Sequence, residues 1–280
     1  MRINPKTVYA WLEEDLPYFD LTTQVLGVGE QPARMAYYCR HAAVVCGTEE
    51  AAVLAREVGA TVISTVSSGT TIQAQQAFFI VEGSFAALNE ITKVIQNIFE
   101  YASGVATRTL QLVSAAKQVN PAINILTTRK VFPGTKALSI KAILAGGAYP
   151  HRLGLSETIL LFRQHLEFIG GFAAIEDCVA RILAQDCEKQ ILIEVESAED
   201  VEAIMHLPIH GVQYDKIQSA QLSVLVDKVR AVNPKLTQLA AGGITLDNAA
   251  QYAATGVDGL VTTSIYFGKP ADVGVRFYQV

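Results

Sequence analysis

Residues 127–157 read "TTRKVFPGTKALSIKAILAGGAYPHRLGLSE". The stretch grows out of a short apolar run, "INILTT", passes through a helical pattern, "ALSIKAILAGG", and reaches a weaker strand candidate at "YPHRL". Strand, helix and strand in so short a span is the grammar of a parallel βα unit. Charge here is sparse, and from Arg129 to Arg152 it is all of one sign. Arg129-Lys130 and His151-Arg152 stand at either end, and only Lys136 and Lys141 lie between them. A chain of net charge −5 has gathered cations at what read as two successive strand ends.

The same grammar continues toward the C-terminus. "TILLF", "QILIEVE", "GVQYD", "LTQLAA" and "DGLVTT" alternate with the helical patterns "AAIEDCVARILAQDC", "AEDVEAIMHL", "AQLSVLVDKVRAV" and "LDNAAQYAATG". Counting "YPHRL", six or seven strands result, which fits a β/α barrel short of eight strands. A doubly wound sheet would carry a glycine-rich turn after its first strand, and none is there.

The first third reads differently. Asn4-Pro5 has the form of an N-cap with proline at the first helical position, and Val8, Trp11, Leu12 and Leu16 form a helical stripe ending near Pro17. "ARMAYYCRHAAVVCG", "ATVISTV" and "AFFIVEG" have strand character, and a helix is expected over "EEAAVLAREVG" with Thr48 as its cap and Gly59 as its stop. This is an α+β region with antiparallel potential. A long helix follows from Phe85 to Val119, with Gly104 expected to bend or break it and the domain boundary within or just after it.

Bulk properties narrow the function classes. The chain has 280 residues, half of them apolar, so it can bury a large core and is not a disordered segment. The acidic balance disfavours nucleic acid as a partner. The N-terminus shows no secretory h-region, and no uncharged apolar run is long enough to span a bilayer, so a cytoplasmic protein without membrane insertion is expected. Cys39, Cys46, Cys178 and Cys187 fall in no zinc spacing and read as reduced, mostly buried thiols.

In parallel β/α folds, ligands bind at the carboxyl ends of the strands. The residues found there are Arg129 and Lys130, then His151 and Arg152, then Arg163 and His165 after "TILLF". "QILIEVE" carries Glu194 and Glu196 on one side of its strand, and "GVQYD" ends in Asp215 and Lys216. "LTQLAA" ends at Ala241 with Gly242-Gly243 before a helix, and "DGLVTT" ends in Thr262, Thr263 and Ser264. A carboxylate inside an apolar strand is costly unless paired or bound to metal, which singles out Glu194. The last two strand ends suit a phosphate held by backbone N–H groups, although a tight turn and a helix cap explain them equally when taken alone. Cations, carboxylates and a phosphate-type turn around one mouth call for a ligand with an anionic head, a polyhydroxyl or metal-bearing middle and a phosphate tail. No lysine lies inside an apolar strand run, which disfavours a Schiff-base aldolase.

The quoted segment resembles the core motif of quinolinate phosphoribosyltransferases, the carboxylating nicotinate-nucleotide pyrophosphorylases, in which TRKT-x-PG leads through a helix to GG-x-x-x-HR-x-GL. The resemblance runs over nearly the whole chain. "EEDLPYFDLTT", "EYASGVATRT", "IEVE", "AAGGI" and "TGVDGL" follow in family order. It implies an N-terminal α+β sandwich over residues 1–105, with residues 268–280 packing back on it, and an incomplete parallel β/α barrel over 106–267. It also implies an enzyme, a pentosyltransferase that moves phosphoribose from phosphoribosyl pyrophosphate (PRPP) to the ring nitrogen of a heteroaromatic acid, with Mg²⁺ as cofactor and a homodimer with the active site near the subunit interface. By position, Arg129, Lys130, His151 and Arg152 match the cations around the acceptor, and Lys93 matches a residue reaching across the dimer. Glu194 and Asp215 match the acids at the ribose and the metal, and Ala241–Gly243 and Thr262–Ser264 match the 5-phosphate loops.

Departures cluster on the acceptor side. "TKVIQNIFEYASG" puts Thr92 and Lys93 where the family has Glu and Arg. "FRQH" replaces the family's KDNH, with Phe162 in place of the lysine, Arg163 for aspartate, Gln164 for asparagine and His165 retained. "LAAGG" replaces EASGG through Leu239 and Ala241. These departures resemble a branch of the family linked to molybdenum transport. They leave quinolinate, a less carboxylated or larger ring acid, and a non-catalytic binder or sensor associated with molybdate as the expectations to weigh.

Overall fold

A computed structural model describes residues 1–185 and 188–280, so Cys187 lies outside the described residues. In chain order the elements are α1 (Pro5–Asp15), α2 (Leu21–Leu26), β1 (Pro32–Cys39), β2 (Ala43–Val44), α3 (Thr48–Glu57), β3 (Thr61–Thr65), β4 (Thr71–Ile72), β5 (Ala77–Ser84) and α4 (Phe85–Val119). They continue as β6 (Asn124–Thr127), α5 (Lys136–Ala145), β7 (Tyr149–Pro150), β8 (Ile159–Leu161), α6 (Arg163–Ile169), α7 (Ile175–Gln185), β9 (Ile191–Val195) and α8 (Ala198–Ile204). The last are β10 (Gly211–Asp215), α9 (Ser219–Val232), β11 (Thr237–Ala241), α10 (Leu246–Ala253), β12 (Gly259–Thr262) and β13 (Val273–Gln279). None of the described helices is long and apolar enough to cross a membrane.

Two compact units emerge. The first comprises residues 1–110, 131–147 and 266–280, and the second residues 111–130 and 148–265. The segment 131–147, which carries α5, groups with the first unit although the sequence reading runs the barrel stretch through it.

The first unit is built on a four-stranded sheet in the order β13-β1-β5-β3. Its pairings are antiparallel, with β1 between β13 and β5. Tyr37, Phe78, Phe79 and Phe99 meet at centroid separations of 4.9–6.2 Å, edge to face or tilted, and are almost fully buried. Two local expectations are corrected here. The cap of α3 is Gly47 in a left-handed conformation (φ +103°), with Thr48 the first helical residue and no side-chain cap bond. Gly104 does not break α4. A side chain there would meet the backbone of Pro270 and Ala271 at 2.9–3.0 Å, so the glycine makes room for that segment. Cys39 and Cys46 are buried thiols whose pKa values burial pushes up to about 11 and about 12, so neither is a ready nucleophile.

The second unit is a seven-stranded sheet in the order β7-β6-β12-β11-β10-β9-β8. Every pairing is parallel. The first strand, β6, pairs with the last, β12, so the sheet curls until its ends in sequence meet. It stays open between β7 and β8, which are not bonded neighbours. This is an incomplete parallel β/α barrel. β7 has only two residues, in keeping with its weak sequence signal.

Candidate active site

The carboxyl ends of the seven strands surround a cavity of about 510 Å³, a size suited to a small-molecule ligand. On its apolar side Leu160, Phe162, Ala241 and Val261 line it, and they pack with Leu126, Leu192 and Leu239 in one core cluster.

The β6 end turns on Thr128. Its N–H donates to Thr262 O at 3.0 Å, and its hydroxyl lies 2.7 Å from that of Thr263. The next turn is fixed because Lys130 N–H donates to Thr128 Oγ1 at 3.3 Å, and exposed Arg129 and Lys130 then line the cavity. At the β7 end, His151 N–H donates to Thr127 O at 2.9 Å. Burial and the neighbouring Arg152 lower the His151 pKa to about 4, so it is neutral at neutral pH. The wall read as four cations therefore holds three, and His151 offers a neutral imidazole. Arg152 is buried, donates to Thr158 O at 3.3 Å and stands 5.5 Å from the Phe162 ring centroid, a cation–π contact.

The opposite wall is acidic. In parallel register Glu194 on β9 faces Gln213 on β10, and Gln213 Nε2 donates to Glu194 Oε2 at 2.6 Å. The Gln213 Oε1 atom is buried and has no partner. Burial raises the Glu194 pKa. The Gln213 hydrogen bond opposes that rise, and the nearby Asp215 and Glu196 carboxylates add to it. Glu194, Glu196 and Asp215 each bring a carboxylate oxygen within 4.8 Å of the others. Lys216 Nζ lies 3.0 Å from Asp215 Oδ2, which raises the lysine's pKa.

The third side is the turn from β11 into α10. Gly242 and Gly243 both adopt left-handed backbone, φ +82° and +80°. Asn248 pins the turn by donating to Gly243 O at 2.9 Å and accepting from Thr245 N–H at 2.8 Å. Thr262 is buried, donates to Ile244 O at 2.7 Å and accepts from Ser264 N–H at 3.1 Å. Its hydroxyl ties two loops together, while Thr263 and Ser264 line the cavity beside it.

Of the residues singled out from sequence, Arg129, Lys130, His151, Arg152, Phe162, Glu194, Asp215, Ala241–Gly243 and Thr262–Ser264 all line this one cavity. Lys93, Arg163, His165 and Glu196 do not. Lys93 is exposed on α4 in the first unit, with Nζ donating to Gln96 Oε1 at 3.1 Å. His165 is a helix cap, its Nδ1 accepting from Phe162 N–H at 2.9 Å. Sequence reasoning missed Gln213, although it sits two residues before Asp215 and so on the same side of the strand.

Family models cover both units. The model of the quinolinate phosphoribosyl transferase C-terminal domain matches residues 105–275, and that of the N-terminal domain matches residues 20–103. The chain belongs to the quinolinate phosphoribosyltransferase family. Among curated relatives it is 35% identical over 250 residues to a putative pyrophosphorylase ModD of Rhodobacter capsulatus, across 89% of this chain and 95% of that protein. It is 30% identical over 264 residues to the carboxylating nicotinate-nucleotide pyrophosphorylase of Mycobacterium leprae, across 92% and 91%. The fold matches that of NadC from Streptococcus pyogenes with a TM-score of 0.91 at 20% identity, over 100% of this chain and 99% of that one. As a quinolinate phosphoribosyltransferase-type pyrophosphorylase, the chain is a pentosyltransferase. Its acceptor is the question left to the site.

Proposed function

We propose that this enzyme moves phosphoribose from PRPP to the ring nitrogen of a heteroaromatic acid that carries fewer carboxylates than quinolinate or has a larger ring. The observation that carries the reading is the division of one cavity into a cationic wall, a carboxylate wall and a glycine turn. Arg129 and Arg152 orient the acceptor's carboxylate, which guanidinium groups bind with two parallel hydrogen bonds. Lys130 steadies the reacting end, and His151 contributes a neutral hydrogen bond. Phe162, already stacked against Arg152, offers the acceptor an apolar face where family members carry a lysine. Losing one charged contact of that kind costs about 2 kcal/mol, which is why the acceptor is expected to differ.

In the transfer, the acceptor nitrogen bonds to C1 of the ribose as the bond from C1 to the pyrophosphate oxygen breaks, its electron pair leaving with pyrophosphate. Glu194, held by Gln213, and Asp215 favour the positive charge that develops on the sugar and orient its hydroxyls. The 5-phosphate rests on the turn at Ala241, Gly242 and Gly243 and on Thr263 and Ser264, framed by Thr262. The carboxylate wall offers the hard oxygen donors that suit Mg²⁺. Glu194 and Asp215 would hold the ion, directly or through water, and it would supply charge neutralisation on the pyrophosphate. In this reading the enzyme is a cytoplasmic homodimer, with Lys93 reaching the cavity of the second copy. His165 serves the acceptor site indirectly, by setting the backbone at Phe162.

The decisive experiment supplies PRPP, Mg²⁺ and either quinolinate or a panel of heteroaromatic acids and measures pyrophosphate. Acceptor-dependent release is expected, and Glu194→Gln should lower it about 100-fold or more. Conversion of quinolinate at an ordinary enzymatic rate overturns the changed acceptor. Silence across the panel together with no PRPP binding overturns the transferase and favours an oxyanion binder or sensor, a role for which Glu194 and Asp215 in the cavity are ill suited.

A further inference from the structure

Lys216 is one of two non-glycine residues with a left-handed backbone among the described residues, at φ +58°. Glycine or asparagine adopts that conformation with less strain, so nothing local favours a lysine there. Two contacts hold it in place. Its N–H donates to Ala241 O at 3.0 Å, and its ammonium rests 3.0 Å from Asp215 Oδ2. The neighbouring turn is shaped around the lysine stem, because a Cβ on Gly242 would come within 2.5 Å of Lys216 Cγ and 2.7 Å of Lys216 N.

That arrangement delivers a charge into the cavity. Lys216 lines it with its side chain 78% exposed. The other lysine and arginine residues lining it, Arg129, Lys130 and Arg152, stand at the β6 and β7 ends. Lys216 alone brings a cation to the carboxylate wall. Asp215 is half-buried, but the ammonium end of the pair is open to water and so can exchange, and an ammonium is a mobile point charge with three donors.

We propose that Lys216 is a diphosphate-binding residue. In the free protein its ammonium neutralises Asp215. When PRPP arrives, it passes to the diphosphate oxygens and releases the Asp215 carboxylate for the ribose hydroxyls. No covalent bond changes. One ion pair is exchanged for another, and the leaving group gains a donor that stays with it as its charge grows. This rests on the phosphoribosyl-transfer reading above.

Lys216→Asn removes the ammonium while suiting the left-handed backbone, and Lys216→Arg keeps the charge. Calorimetric titration of the full chain with pyrophosphate, in Mg²⁺, should show binding weakened about tenfold or more by Lys216→Asn and largely retained by Lys216→Arg. In turnover, KM for PRPP should rise by more than kcat falls in Lys216→Asn. Unchanged pyrophosphate affinity in Lys216→Asn overturns the assignment while leaving the transferase intact. If the unaltered protein binds neither pyrophosphate nor PRPP, the transferase reading fails first and takes Lys216 with it.

Discussion

Two lysine–carboxylate pairs in this molecule use the same chemistry to opposite ends. In the first unit, Lys141 on α5 is 4% exposed and bonds Glu50, itself 3% exposed, and Glu49 at 2.8 Å. Burial pulls the Lys141 pKa down, but the two carboxylates outweigh it and raise the value. In the second unit, Lys216 meets Asp215 while remaining in the open mouth of the cavity. The buried pair has no solvent to fall back on, so each charge depends on the other. In the second pair Asp215 is half-buried, at 17% exposure, but the ammonium stands in water, so the two can part at less cost. Burial, more than distance, separates a structural ion pair from one free to serve a ligand.

The sharpest way to break this contrast is to remove each ammonium. Lys141→Met leaves Glu50 buried without its partner and should cost about 3–5 kcal/mol of folding stability, read from urea melts. Lys216→Met should change stability by less than about 1 kcal/mol. Equal losses would show that exposure does not divide the two pairs.

The glycine turn gives a second, smaller contrast. Gly242 and Gly243 share nearly the same backbone, but a methyl group at Gly243 meets nothing within 4 Å, whereas one at Gly242 runs into Asp215 and Lys216. Gly243→Ala should therefore lose only about 1–2 kcal/mol to backbone strain. Gly242→Ala should add about 1–3 kcal/mol of overpacking and lose pyrophosphate affinity as well. Matching thermal melts for the two variants would mean that the turn is not fitted around the Asp215–Lys216 pair.

How much of this was legible beforehand follows from the range of the interactions. The barrel was readable because apolar runs alternate with helical ones, Glu194 stood out because charge inside an apolar run needs a reason, and Asp215 was marked by its place at a strand end and by the family resemblance. The open seam between β7 and β8 was not, since it depends on which distant strands pair. Neither was the role of His165, whose position after a strand marks a cap and a ligand alike, nor that of Gly104, whose partner lies far along the chain. The neutrality of His151 is likewise a product of burial that its basic neighbours in sequence conceal. The left-handed backbone of Lys216 has no sequence signature at all, because lysine does not advertise it.

Glu49 falls between the two extremes and offers the finest test. It is 51% exposed, yet it shares Lys141 with buried Glu50. Burial raises its pKa, but hydrogen bonds from Lys141 and Ser68 win and hold the carboxyl down to about 2. A carboxyl depressed in the folded state stabilises the fold above its unfolded pKa, and that stabilisation is lost as pH falls from the ordinary carboxylate range toward about 2. Half-exposure screens the charge, so the contribution is set at about 1 kcal/mol. Urea midpoints of the wild type and Glu49→Gln at about pH 7 and about pH 3 should show the wild-type advantage at the higher pH and its shrinkage at the lower. An advantage that persists undiminished at the lower pH would mean that Glu49 contributes through hydrogen-bond geometry rather than charge, which would place it with neither pair.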